Sequence, residues 1–207
     1  FQERLGTKQW IGIGVAISPD EAFYFPLGKP GMKNVPHSDP YPLVRKLEDS
    51  RTTKIFYNSM FDLEVIENGL GVEVDNFEDV AIAAQVQGLW NSLDQNLGHL
   101  LGINHETIDD VLPKGKTMLD IPFPRTARKC MEDCIDTFKL YRLFRMDEWA
   151  EKKNLVWKDH VGREFDVTPR IIDCYYVDRY LVPVLRRMSK RGIAIRQDVV
   201  ENWNKKL

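Results

Sequence analysis

The chain has 207 residues, 43% hydrophobic and 29% charged, with a net charge of −2. That is room for one sizeable globular domain, or one domain and the beginning of another. The charge balance excludes a globally basic nucleic-acid binder, so nucleic-acid contact has to rest on local sites, and no apolar run approaches the ~18 residues of a membrane span.

Trp10 to Ile17, where Gly12 and Gly14 alternate with apolar residues, predicts a strand. Ser18-Pro19-Asp20-Glu21 predicts a turn, and Ala22 to Leu27 the returning strand of a hairpin. Residues 28–40 carry Gly, Pro and Asn and predict a loop. Tyr41 to Ser50 predicts a short amphipathic helix, Lys54 to Tyr57 a strand, and Met60 to Asn68 a helix ended by Gly69 and Gly71. Asn76 to Val86 predicts a buried element, helical at its end. Leu93, Leu97, Leu100 and Leu101 mark a helix closed by Gly102. Residues 105–122 form a connection with Lys114-Gly115-Lys116 at its tip. Arg125 to about Trp149 predicts a long helix with Cys130, Cys134, Phe138, Tyr141 and Phe144 on its apolar stripe. Residues 151–167 read as a polar linker. Thr168-Pro169, a cap followed by Pro at the first helical position, opens a helix that runs to Arg191 and stops at Gly192. Ile193-Ala194-Ile195 then reads as strand-like, and a last helix starts near Asp198. Strands, then alternation, then helices alone predict an α/β domain over residues 1–150 and a helical fragment over 168–207. Both ends, Phe1 and Lys205-Lys206-Leu207, read as cuts in a longer protein. Cys130, Cys134 and Cys174 are an odd number without framework spacing, which points to a reducing, cytoplasmic setting.

The run Tyr57-Asn58-Ser59-Met60-Phe61-Asp62 sets an Asn and an Asp four residues apart where a strand hands over to a helix. A second acidic site, Glu132-Asp133, lies in the long helix. Two metal ions about 4 Å apart can activate water and stabilise the leaving oxygen of a phosphodiester. Hard cations want carboxylate oxygens, and Asp62 and Asp133 fit as two of them. The same residues also fit a plainer reading. Asn58 or Ser59 caps the helix, with Asp62 favouring its dipole, and Lys129 pairs with Asp133 one turn on. Glu132 and Asp136 read as solvated helix-face charges. The four histidines have no metal-ligand spacing.

The ordered set Ile11–Ile17, Tyr57–Asp62, Leu93–Gly102, Lys114-Gly115-Lys116 and Cys130-Met131-Glu132-Asp133 resembles the 3′→5′ exonuclease domain of family A DNA polymerases, the bacterial DNA polymerase I type and its phage relatives. Leu181–Met188 followed by Gly192–Ile195 is similar to the helix that begins the polymerase domain in that family. The resemblance implies an RNase H-like α/β fold, a mixed sheet flanked by helices. It also implies Mg²⁺ or Mn²⁺ as cofactor and the single-stranded 3′ end of a primer-template as partner, bound by a monomer. By resemblance, Asp62 and Asp133 are the catalytic, metal-ligating third and fourth carboxylates, with Asn58 and Phe61 beside the frayed 3′ end.

Two departures matter. The Asp-x-Glu pair that supplies the first two carboxylates belongs upstream of Ile11, where Glu3 is the sole acid. Lys129 stands where the family has a water-orienting Tyr, and it is left with phosphate contact as a role. The resemblance therefore predicts an exonuclease that is inactive or impaired in this fragment. The alternatives are a degenerate domain with a structural or DNA-binding role, and a stand-alone exoribonuclease of the same fold. Arg179, Arg186, Arg187, Lys190 and Arg191 make the last long helix basic, with Arg186 and Arg187 as candidate phosphate contacts or a solvated face. Phe23, Tyr24, Phe25, Trp90, Trp149 and Trp157 read mostly as core, with base stacking as the alternative.

Overall fold

The structure, a computed structural model, describes residues 11–28, 33–35, 41–112, 114–144, 156–158 and 160–192. The predicted Ile193–Ile195 run, the helix from Asp198, Trp149 and Glu3 lie outside them. Strands β1 (Gly12–Ala16) and β2 (Ala22–Pro26) form the expected antiparallel hairpin, with Gly14 opposite Tyr24. Helix α1 spans Tyr41–Glu48. Strand β3 (Lys54–Phe56) leads into helix α2 (Ser59–Leu70). The stretch read as one buried element divides into strand β4 (Phe77–Asp79) and helix α3 (Val80–Val86). β4 pairs parallel to β3, with Phe56 opposite Asp79. Helices α4 (Leu93–Leu101), the single-turn α5 (Ile108–Val111) and α6 (Phe123–Phe144) follow.

Parallel and antiparallel pairings are thus both present, but among the described residues they form separate two-stranded pairs rather than one continuous sheet. Helix α6 ties the first hairpin to the β3–β4 pair by packing on β1, β2 and β3. The contact with β1 is close because Gly14 has no side chain. A Cβ there would stand 2.6 Å from the Cys130 sulfur and 2.9 Å from that of Cys134.

Three features depart from the sequence reading. The stretch read as linker holds a hairpin of β5 (Val156–Lys158) and β6 (Glu164–Asp166), joined across the strands by a 2.7 Å Lys158–Glu164 ion pair. Helix α7 (Thr168–Arg191) begins as predicted, but no side chain caps it from the N-cap position. Instead Asp166 accepts the Thr168 N–H at 2.9 Å. α2 ends one residue beyond Gly69, because Gly71, at φ 68°, supplies the left-handed stop and donates to the Glu67 carbonyl.

Apolar burial gathers in two clusters. Val80, Ala83, Ala84, Leu97, Leu140, Phe144 and Tyr175 join α3, α4, α6 and α7. Leu47, Leu63, Ile66, Val72, Val74, Phe77 and Val182 join α1, α2, β4 and α7. Helix α7, two turns apart at Tyr175 and Val182, contributes to both, so the segment expected to open a second region is built into the packing of the first.

Candidate active site

The strand-to-helix handover is held from two sides. Tyr57, at the end of β3, accepts a 2.9 Å hydrogen bond from Asn96 of α4. Asn96 is fully buried and also donates to the Trp90 carbonyl. Next comes Asn58, whose backbone is left-handed at φ 63°, ψ 60°, a conformation Asn tolerates better than other non-glycine residues. The capping reading fails here: Asn58 makes no side-chain cap bond, and the buried Ser59 hydroxyl has no partner. Asp79 does the capping across the sheet. One oxygen accepts from Asn58 N (3.1 Å) and from Ala81 N (2.9 Å) and Ile82 N (3.3 Å) at the start of α3; the other accepts from Ser59 N at 2.7 Å.

Asp62 lies one turn into α2 and is half-buried. Burial first, and the neighbouring Asp79 charge second, push its carboxyl up from 3.8 to about 7. Asp133 is also pushed above the carboxylate range by burial, although Lys129 opposes the shift. Lys129 donates to Asp133 at 2.7 Å and stands 3.8 Å from Asp94. Its side chain is only 7% exposed, so the pair is not the exposed one expected, and a lysine so enclosed is committed to these carboxylates rather than open to a phosphate. Burial works against its ammonium, but the Asp133 bond and charge outweigh that and raise its pKa.

Asp62 and Asp133 both act electrostatically on the thiols of Cys130 and Cys134, so both border the strip where α6 crosses β1. They flank that strip with different neighbours: Asp79 beside Asp62, and Lys129, Asp94 and Asp136 beside Asp133. Their oxygens suit a hard divalent cation. Yet no three His, Cys, Asp or Glu side chains converge closely enough to hold a metal among the described residues. The donor chemistry fits such an ion, and the number of donors is half a set.

Phe61 is 54% exposed on the rim, and Asn58 is exposed beside it. Phe23 and Phe25 face outward from β2, contrary to the core reading, while Tyr24 turns inward against Phe123. Arg187 is exposed. Arg186 is not: it donates to the Leu63 carbonyl at 2.9 Å and pairs with Glu67, holding α7 to α2, so its guanidinium is occupied within the fold. Asp136, read as solvated, is 1% exposed and meets His105 at 3.0 Å and Lys139 at 3.3 Å. Asp79, Asp94 and Asn96 were not singled out by the sequence. For Asp79 the signal was available, an acid directly before the helical run Val80–Val86.

The chain is similar in sequence and in fold to known proteins. The family described as 3′-5′ exonuclease matches residues 9–147. DNA polymerase I of Chloroflexus aurantiacus is 26% identical over 196 residues, which is 91% of this chain and 19% of that protein. DNA polymerase I of Treponema pallidum is 26% identical over 167 residues, 78% of this chain and 15% of that one. The chain therefore spans about a fifth or less of the curated relatives it matches. Among solved structures, Brucella melitensis NrnC bound to pGG superposes with a TM-score of 0.56 at 15% identity, covering 87% of this chain and 83% of that one. The same protein with bound Mg²⁺ gives a TM-score of 0.51 at 15% identity and the same coverage. These likenesses show the RNase H-like exonuclease fold. The chain belongs to the 3′-5′ exonuclease family found as a domain of A-type DNA polymerases.

Proposed function

We propose that this chain is the editing part of a DNA polymerase I-type protein, acting on the single-stranded 3′ end of DNA by hydrolysing the terminal phosphodiester. Asp62 and Asp133 supply carboxylate oxygens to Mg²⁺ or Mn²⁺, while Asn58, Phe61 and Arg187 line the approach of the strand. When bound, such an ion supplies Lewis-acid activation of water and stabilisation of the leaving oxygen. The observation that carries the reading is the Asp62 carboxyl, half-buried beside Asp79 and pushed up to about 7. A charge so poorly compensated is what a cation would relieve.

Two of the four family carboxylates lie in the described chain, and Lys129 engages one of them, so hydrolysis is expected to be slow. That same Lys129–Asp133 bond favours a second reading, a degenerate domain that braces a polymerase and touches DNA weakly. Similarity to NrnC supports the fold equally well for a stand-alone exoribonuclease, but similarity to DNA polymerase I over 91% of this chain, together with the resemblance of Leu181–Met188 to the helix that begins a polymerase domain, speaks for the polymerase context. The test is Mn²⁺ titration with a 3′-labelled single strand, comparing wild type with Asp62→Ala. Loss of digestion in the variant supports the editing reading, and equal digestion removes Asp62 from the chemistry. Absence of digestion in both, with Mn²⁺ still bound, favours the scaffold.

A further inference from the structure

We propose that Asp79 is a positioning residue of the hydrolytic site: its carboxylate holds the Asn58 turn and so fixes the helix that carries Asp62. This rests on the reading of Asp62 as a cation ligand. Helix α2 cannot cap itself, since Asn58 makes no side-chain cap bond and Ser59 Oγ is unpartnered. The first N–H groups of a helix need acceptors when buried, and here they come from another element. The parallel β3–β4 register sets Asp79 opposite Phe56, two residues before Asn58. That brings one carboxylate under the turn and under the start of α3 together.

Four backbone N–H groups from two helix N-termini converge on it. Their partial positive charge suits a buried anion, and Asp79 is 2% exposed. Its own backbone is fixed in turn, because Asp79 N donates to the Tyr175 hydroxyl of α7 at 3.3 Å. A left-handed Asn persists where its surroundings over-determine it, and Asp79 is what over-determines Asn58. Both oxygens are spent on the backbone, so Asp79 acts through Asp62 and not as a ligand.

The experiment reads Mn²⁺ affinity by electron paramagnetic resonance and amide exchange by NMR. It uses wild type, Asp79→Asn, Asp79→Asn with Asn58→Gly, Asn58→Val and Asp62→Ala. Losing the carboxylate's bonds should speed exchange at Asn58 and Ser59 roughly tenfold, the equivalent of about one hydrogen bond. Mn²⁺ should bind roughly fivefold more weakly, with Gly at 58 recovering most of that because it adopts positive φ freely. Asn58→Val, which cannot hold the turn but leaves Asp79 capping α3, should show the same weakening, and it carries the test if Asp79→Asn does not fold. Unchanged Mn²⁺ affinity in Asp79→Asn and Asn58→Val, while Asp62→Ala abolishes binding, would overturn the proposal and leave Asp79 a cap of the fold. Wild-type Mn²⁺ binding by Asp62→Ala would overturn the site reading itself, and the proposal with it.

Discussion

Replacing Asp62 by Asn should stabilise the metal-free protein, and only above the acid range. Burial, and after it the Asp79 charge, hold the Asp62 carboxyl near 7 in the fold against 3.8 for the ordinary group. Between those values the folded chain keeps a proton that the unfolded chain has released, so stability falls as pH rises through the window. A displacement of that size corresponds to on the order of 4 kcal/mol. Solvent reaching the half-buried carboxylate reduces the expected difference to about 2–4 kcal/mol. Urea unfolding with a chelator present, followed by tryptophan fluorescence, measures it. Wild type and Asp62→Asn should coincide near about pH 4 and separate as pH rises, with the variant ahead by about 2–4 kcal/mol at about pH 8. Saturating Mg²⁺ should narrow the gap, because a ligand that binds only the folded, ionised site adds its binding free energy to wild type. Parallel curves across the pH range, or a variant less stable at about pH 8, would refute the argument that Asp62 carries an uncompensated charge.

Lys129→Met should cost about 1–3 kcal/mol in unfolding measurements, because it strands Asp133 and Asp94 without their shared cation. The same variant should bind Mn²⁺ more tightly, since the ammonium no longer competes for Asp133; weaker binding would count against Asp133 as a ligand. Gly14→Ala should destabilise by about 1–3 kcal/mol through its clash with the two α6 sulfurs. Combining it with Cys130→Ala and Cys134→Ala should return most of that loss in thermal melts. Arg186→Ala should lower stability by about 1–3 kcal/mol by leaving Glu67 half-paired and the Leu63 carbonyl without its donor. Unchanged stability would mean that the Val182 packing and the Lys190–Glu67 pair hold α7 to α2 without Arg186.

The elements were legible where one residue type dictates the backbone. Gly102 and Gly192 stop their helices where the sequence says they should, and the Ala22–Leu27 pattern returns as the second strand of a hairpin. Side-chain partners across the fold were not legible. Nothing in the order of residues says that Asp79 will cap a helix 20 residues earlier, or that Arg186 will spend its charge on Glu67. Local patterns see i to i+4 neighbours, so the Lys129–Asp133 pair was visible and its burial was not. Asp136 shows the same limit. It follows Asp133 on a charged helix, yet the turn carrying His105 covers it, and that contact is set by a connection whose path no periodicity predicts. The candidate acids themselves were found from a motif and a resemblance, while the residues that position them emerged only from the packing.

The two acids are unequal, and the inequality predicts the order in which cations bind. Asp133 already has a cation: the Lys129 ammonium, 2.7 Å away and raised in pKa by that bond. Asp62 has an anion for a neighbour instead, and no hydrogen bond or ion pair among the described residues relieves it. An incoming divalent ion must displace a lysine at Asp133, whereas at Asp62 it relieves an existing repulsion and has only a proton to displace. One ion should therefore bind first and at Asp62, with an affinity that rises as pH passes through about 7. A second should bind far more weakly until Lys129 is removed. Calorimetric titration of Mn²⁺ into wild type and Lys129→Met, repeated with Asp62→Asn, distinguishes these steps. Two equal sites in wild type, or a single site that survives Asp62→Asn unchanged, would show that the distribution of charge around the two carboxylates does not govern where the ion goes.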